Sequence, residues 1–455
     1  MRTTKMGMKT LVVALILSIS VVSKAQDTST TNLSLQQCIE FALQNHEQIQ
    51  NAELDIRIAD KKIIETRAMG LPQINGKVEY TNNLQPMSQF IPASAFVPGA
   101  PDDQIQALAF GVNHGSNASI TLSQLVFDGS YLVGLQSART YKALFEKSLN
   151  QTKADITENV VKAYYGATIT SERIKLLRVN LKRIEALEKD TKVLVDNGFA
   201  EKIDLQRIIV SKNNLKTELQ KLEAFDAISL DLLKFQMGMP IQNELILSQN
   251  LETFISEFQV QSGDADIEAR PEYQMIQIQQ ALNENELKYE KVIRYPSLSA
   301  FFNGGFNNGT INASDLFNFG NYREYGMIGL NLNVPIYSSG RSSSRIKQVQ
   351  FKIDQTSNQM AMLKRSIEFE VEQAQTTYNN NLMSLSFQQE NINLAEEVYN
   401  DSKIKYEAGV GSNLEVIEAE SALKESQVNY LSAVYDLLIA KTDLDKSYGK
   451  FNQSN

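Results

Sequence analysis

Two kinds of apolar periodicity alternate along this chain, and the alternation occurs twice. From about 130 to 197, and again from about 341 to 408, apolar residues recur at steps of three and four, with no proline and almost no glycine. In the second stretch the file runs Ile346, Val349, Ile353, Thr356, Met360, Leu363 and Ile367, then on to Val371, Ala374, Tyr378, Leu385 and Tyr399. In the first it runs Val160, Ala163, Ala167, Thr170, Ile174, Leu177, Leu181 and Ile184. This is a heptad stripe with polar interruptions, the pattern of a coiled coil. Leu363, Ile367 and Val371 stand four and four apart, like a stutter that locally unwinds a left-handed supercoil. A helix of about 68 residues is ~100 Å long. Core helices of globular domains rarely pass about 25 residues. Extended coiled-coil hairpins are therefore expected.

Ahead of each long helix the period changes to two. Tyr325 to Ile336 sets Ile328, Leu330, Leu332 and Val334 on one side and Gly329, Asn331 and Asn333 on the other. Its partner is Ser297 to Phe306, with Phe301, Phe302 and Phe306. In the first half the strands are about 73–82 (Ile74, Val78, Tyr80) and 117–127 (Ile120, Leu122). Each is about 10 residues, the length of a tilted strand crossing a bilayer. Large aliphatics against amides and glycine suit a barrel wall with lipid outside and water inside. A soluble sheet packed on one face alternates too. Four strands cannot close a transmembrane barrel, whose minimum is about eight, so several chains would have to pool strands. The connection 83–116 contains Pro86, Pro92, Pro98 and Pro101 and reads as an external loop. The connection 307–323 is rich in Asn and Gly.

The halves are copies of one pattern. Gly198, Ile203, Asp204 and Leu205 match Gly409, Leu414, Glu415 and Val416 at a constant offset of 211, and Gly238 matches Gly449. The expected organisation is a signal peptide at 1–25, a first repeat at 26–238, a linker at 239–269 without clear period, a second repeat at 270–449 and a tail at 450–455. Within the repeats, hairpins fall at about 73–127 and 297–336, long helices at about 130–197 and 341–408, and return helices at about 201–237 and 412–448.

Composition adjusts this picture. Asn and Gln number 72 of 455 residues, Gly 22 and Pro 9, and Trp is absent, which leaves Tyr and Phe to form any interfacial aromatic belt. Arg2, Lys5 and Lys9 precede an apolar run from Leu11 to Val22 and the small-x-small sequence Ser23-Lys24-Ala25. That is a secretory signal with cleavage after Ala25. The run is too short to span a bilayer as a helix. The formal charge is -9, and losing Arg2, Lys5, Lys9 and Lys24 takes it to -13, so a basic nucleic-acid binder is excluded. Cys38 is the single thiol, expected on a helix face as a small apolar residue.

Catalytic chemistry finds no foothold. His46 and His114 are the only histidines and lack metal-ligand spacing. Gly409-Val410-Gly411 is too short for a phosphate loop and joins two helices. Neither a cofactor nor an enzymatic role is expected.

Ordered motifs carry a resemblance. They are Leu33–His46 near the mature N-terminus, Leu71-Pro72 and Tyr295-Pro296 at the strand entries, Val334 to Arg341 before the long helix, and Tyr406-Glu-Ala-Gly-Val-Gly-Ser-Asn-Leu-Glu-Val416 at its far end. Over essentially the whole mature length the chain resembles the TolC-like outer membrane efflux proteins, the outer membrane factors. The resemblance implies a mainly α fold with β. It implies a homotrimer whose protomers give four strands each to a twelve-stranded barrel in outer-membrane lipid, continued by helices into the periplasm. It also implies a passive duct working with a periplasmic adaptor (membrane fusion) protein and an inner-membrane pump of the RND or ABC type. Small-molecule efflux is the first reading. Type I protein secretion through the same duct, and a poreless periplasmic coiled-coil spacer, are the alternatives.

In that family the helix-hairpin tips meet the adaptor. Mapped here the tips are Gly198, Ile203 and Asp204 in the first half, and Gly409, Val410, Gly411, Ser412, Leu414 and Glu415 in the second. Gly198 and Gly409 are expected to end the long helices. Ser412 is expected to cap the next, with Glu415 completing a capping box. The first tip departs from the second, with Phe199-Ala-Glu-Lys in place of Val-Gly-Ser-Asn. The family also narrows its duct near the tips with acidic rings. The candidates are Glu396, Glu397, Asp401 and Glu407, and an ordinary solvated helix face is the competing account. Glu397 and Asp401 share a helix face. The first-half counterparts, Glu188, Asp190 and Asp196, are weaker.

Overall fold

A computed structural model describes residues 31–452 apart from 97, 100, 110, 256–257 and 259–265. The expected signal peptide and the last residues of the tail lie outside them. In chain order the elements are β1 (Thr31–Leu33), α1 (Leu35–Asn45), α2 (Glu47–Ala68), β2 (Gln73–Asn82), β3 (Ser88–Pro92), β4 (Ile105–Ala109) and β5 (His114–Phe127). Then come α3 (Gly129–Asp196), α4 (Lys202–Met237), β6 (Leu245–Leu247), α5 (Leu251–Ile255) and α6 (Pro271–Val292). The chain ends with β7 (Ser297–Thr310), β8 (Arg323–Asn333), α7 (Arg341–Glu407) and α8 (Asn413–Ser447). The residues divide into two compact units. One comprises the chain up to His46, Asn159–Phe258 and Phe387–Tyr435. The other comprises Glu47–Glu158, Gln259–Ser386 and the chain from Asp436.

The first unit is helical, with a small sheet. Its core is built by Leu177, Ile184 and Leu187 of α3, Ile208 and Leu215 of α4, Tyr399 of α7, and Val416, Ala419 and Leu423 of α8. Every residue of the two heptad files named above is buried or half-buried. The expected N-terminal helix starts later than its motif, because Leu33 belongs to β1, which pairs in parallel with β6. Ser34 caps α1 in a capping box with Gln37. The inter-repeat stretch thus contains a strand and the short α5, whose Phe254 packs edge-on against Tyr164 and Tyr165. Cys38 is fully buried on α1, and burial pushes its thiol up to about 12.

The second unit holds a four-stranded antiparallel sheet in the order β2-β5-β7-β8. Its register sets Val78 opposite Ala118, Ala118 opposite Phe306, Leu122 opposite Phe302, and Phe302 opposite Ile328. Directly opposed residues share a face. One face therefore gathers Ile74, Val78, Tyr80, Ile120, Leu122, Phe302, Phe306, Ile328, Leu330 and Leu332. The other gathers amides and hydroxyls, joined by Asn303 Nδ2 to Thr121 Oγ1 at 3.1 Å and Tyr325 Oη to Asn117 Oδ1 at 2.9 Å. Phe301 and Met327 are apolar exceptions on that face. Phe301 lies over Gly329, where a Cβ would come within 2.6 Å of its ring.

Three strand boundaries differ from expectation. β5 begins at His114 and β7 runs on to Thr310, so the central hairpin is longer. β8 stops at Asn333, because Pro335 has no N–H to give a ladder. The connection 83–116 is more than a loop, since β3 and β4 form a second antiparallel pair within it. No helix among the described residues is long and apolar enough to cross a membrane.

Candidate functional site: the two helix-hairpin tips

Both long helices end in the same way. Gly198 and Gly409 adopt left-handed backbone, with φ of 78° and 74°. The Phe199 N–H donates to Leu194 O at 2.8 Å and the Gly198 N–H to Val195 O at 3.1 Å. At the second tip Val410 donates to Lys405 O and Gly409 to Tyr406 O, both at 3.0 Å. These are paired Schellman closures, which need a residue without a Cβ penalty at φ > 0. Gly411 is glycine for another reason, because a Cβ there would stand 2.9 Å from the Lys405 Cβ.

The return helices are capped differently. Ser412 Oγ accepts from the Glu415 N–H at 3.2 Å, as expected for α8. At α4 it is Asp204 Oδ2 that accepts, from the Glu201 N–H at 3.3 Å. Each turn holds its apolar residues out to solvent. Phe199 is 82% exposed and Val410, at the same repeat position, 80%. Ile203 and Leu414 are exposed one turn further on. In sequence Phe199 departs from the second tip. Its exposure makes it an apolar counterpart of Val410. A cavity of about 530 Å³ lies between the tips, bordered by Phe199, Tyr399, Lys403, Tyr406, Gly409 and Gly411.

The acidic candidates are scattered. Glu396, Glu397, Asp401 and Glu407 are all exposed along α7. Glu407 lies 3.7 Å from Lys403. Glu188 is engaged by Lys212 of α4 at 2.7 Å, Asp190 borders the cavity, and Asp196 is exposed in the last turn of α3.

One ionised group escaped the sequence reading. Glu420 is buried on α8, with its Oε2 3.1 Å from Arg183 Nη1. The same guanidinium stands 5.0 Å over the Tyr399 ring. Burial raises the Glu420 carboxyl above the usual range, against the pull of Arg183 and Lys424. It raises the Tyr399 hydroxyl too, helped by the charge of Glu420. A carboxylate between Ala419 and Leu423 on the apolar stripe of α8 was the available signal. Its partner, 237 residues upstream, left none. Polar contacts continue along the α3–α8 seam, with Asn180 Nδ2 3.1 Å from Gln427 Oε1 and Arg173 Nη2 2.6 Å from Ser432 Oγ. Asn413, the first residue of α8, is buried with no partner for its side-chain amide.

Nothing in this arrangement is a catalytic constellation, and no three His, Cys, Asp or Glu side chains gather to hold a metal among the described residues. What the residues build is a pair of capped helical hairpins with apolar tips, together with a sheet of two unlike faces. The same architecture occurs in known proteins. The chain is 20% identical to outer membrane protein TolC of Escherichia coli over 450 residues, covering 93% of this chain and 83% of that one. Its fold is similar to that of the Campylobacter jejuni CmeC outer membrane channel, with a TM-score of 0.70 at 15% identity over 91% of this chain and 85% of that one. It is likewise similar to the Neisseria gonorrhoeae MtrE outer membrane channel, with a TM-score of 0.70 at 16% identity over 91% of this chain and 88% of that one. The model of the outer membrane efflux protein family matches residues 38–214 and 266–450, the larger part of the sequence, and the chain belongs to that family.

Proposed function

We propose that three copies of this chain form an exit duct across the outer membrane, each giving β2, β5, β7 and β8 to one twelve-stranded barrel. The observation that carries this reading is the sheet. Its edges, β2 and β8, have no further partner among the described residues, and its apolar face is exposed, with Val78 85% and Ile328 83% accessible. An open sheet edge is not tolerated in lipid. Pooling strands removes the edges, covers them with identical neighbours and turns the polar face to a water-filled bore.

The duct transfers solutes passively, with energy supplied elsewhere. In this reading a periplasmic adaptor docks on the exposed tip residues Phe199, Ile203, Val410 and Leu414, and an inner-membrane pump of the RND or ABC type loads the duct. Small molecules are the proposed cargo, and the leader at 1–25 is proposed to be removed on export.

Conductance in planar bilayers tests the duct. Discrete, long-lived channels from purified oligomers are expected. Well-folded trimers that insert without conducting would move the protein to the poreless alternative.

A further inference from the structure

A cavity of about 690 Å³ lies where β8 hands over to α7, and its lining is basic. Arg294, Arg341 and Arg345 border it, with Ser342, Ile336 and Tyr337. Arg294 Nε donates to Ser342 Oγ at 2.8 Å. Arg345 makes a long contact of 3.9 Å with Glu290. Arg294 and Arg341 have no carboxylate partner among the described residues. Of the three guanidinium groups, only that of Arg345 contacts a carboxylate.

The cluster sits at an awkward place for cations. A helix N-terminus carries about half a positive charge and favours acidic residues. The first turn of the 67-residue α7 has none. The chain contains its own control at the start of the other long helix. There Asp128 Oδ1 accepts from the Ser130 N–H at 2.7 Å and the Tyr131 N–H at 3.3 Å. At the offset of 211, α7 has Ser339 instead, with φ of 50°. One long helix starts on a carboxylate of its own. The other has no carboxylate at its start and three arginines around it.

We propose that this cavity binds a phosphate group, supplied by the headgroup of a phospholipid. Guanidinium forks match phosphate oxygens two at a time. The Ser342 and Ser343 N–H groups, in the first turn, have no acceptor within the helix. The lipid source follows from what leads to the cavity. The aliphatic file Ile328, Leu330 and Leu332 runs down the apolar face of β8, and Val334 and Ile336 extend it to the cavity, where Ile336 is 92% exposed. Tyr295 and Tyr337 are exposed beside it, as aromatic residues are at a headgroup boundary. The lipid source rests on the membrane reading of the sheet. The phosphate chemistry does not.

Native mass spectrometry of the full-length protein, released from nanodiscs containing phosphatidylglycerol, tests this. The wild type should retain the lipid. Replacing Arg294, Arg341 and Arg345 by Gln should cut occupancy at least about fivefold, a conservative figure for losing three basic groups near a headgroup. Ser339→Asp should cut it as well with all three arginines in place, because it puts a carboxylate beside them at the repeat position of Asp128, and Asp tolerates positive φ. Equal retention by wild type and both variants, with unchanged circular dichroism and oligomer size, overturns the site. Binding of inorganic phosphate that the substitutions abolish, with lipid retention untouched, overturns the lipid source. A protein that loses lipid on substitution yet never conducts overturns the duct and leaves the site standing.

Discussion

Arg183 Nη1 lies 3.1 Å from Glu420 Oε2, joining α3 to α8 beside the apolar four-helix core. The pair is asymmetric, because the Glu420 side chain is 6% exposed and that of Arg183 24%. Removing the cation strands a carboxylate that cannot reach water. Arg183→Ala should therefore destabilise the helical unit by about 3 kcal/mol, the usual result of breaking a buried pair from one side. A shift of the thermal midpoint by less than one degree would show that water relieves Glu420.

The same burial predicts a pH dependence. A carboxyl whose pKa is raised in the fold binds its proton more tightly folded than unfolded. Its contribution to stability is full below the ordinary carboxylate value and is lost as pH rises through the raised one. Wild type should lose stability relative to Glu420→Gln as pH climbs from about 4, the unperturbed Glu value, through the raised one. Parallel curves for the two proteins would mean that Arg183 cancels the cost of burial.

At the tips, Gly198→Ala and Gly409→Ala should each cost about 1 kcal/mol, because both glycines end a helix at positive φ. Gly411→Val should disturb the last turn of α7 through its contact with Lys405, whereas Ala200→Val, at the matching repeat position, should not. Phe199→Arg and Leu414→Arg should abolish export while leaving trimers in the membrane. Export that survived changes at both tips would remove them as the docking surface.

The sheet gives a paired test. Leu330→Arg places a charge on the apolar face and should cost about 2–4 kcal/mol of folding free energy in bilayers. Asn331→Arg, its neighbour on the polar face, should fold normally and lower cation conductance. Equal costs would mean that neither face meets lipid.

Glu397 and Asp401 are exposed on α7 one turn apart. If the threefold assembly turns them to the bore, Glu397→Ala with Asp401→Ala should weaken cation selectivity and divalent block. Unchanged reversal potentials would assign them to the outer surface.

The chain's periodicities determined a good deal unaided. Apolar steps of three and four, unbroken by proline, leave a chain little choice but a long helix, and Gly198 and Gly409 mark its ends because only αL-tolerant residues close that turn. Alternation at 325–333 likewise specifies a strand of two unlike faces. These are local properties, written in neighbouring residues. The second hairpin at β3 and β4 and the pairing of β1 with β6 lacked such a signal, because short strands have too few residues to show a period. What only the tertiary structure decided is which faces coincide. Register alone puts Val78, Ala118, Phe306 and Ile328 on one side of the sheet, and chain reversal alone brings Arg183 to Glu420 and Arg294 to the two arginines that begin α7. Hydrogen-bond register and helix packing join residues hundreds of positions apart, and no local pattern encodes that distance.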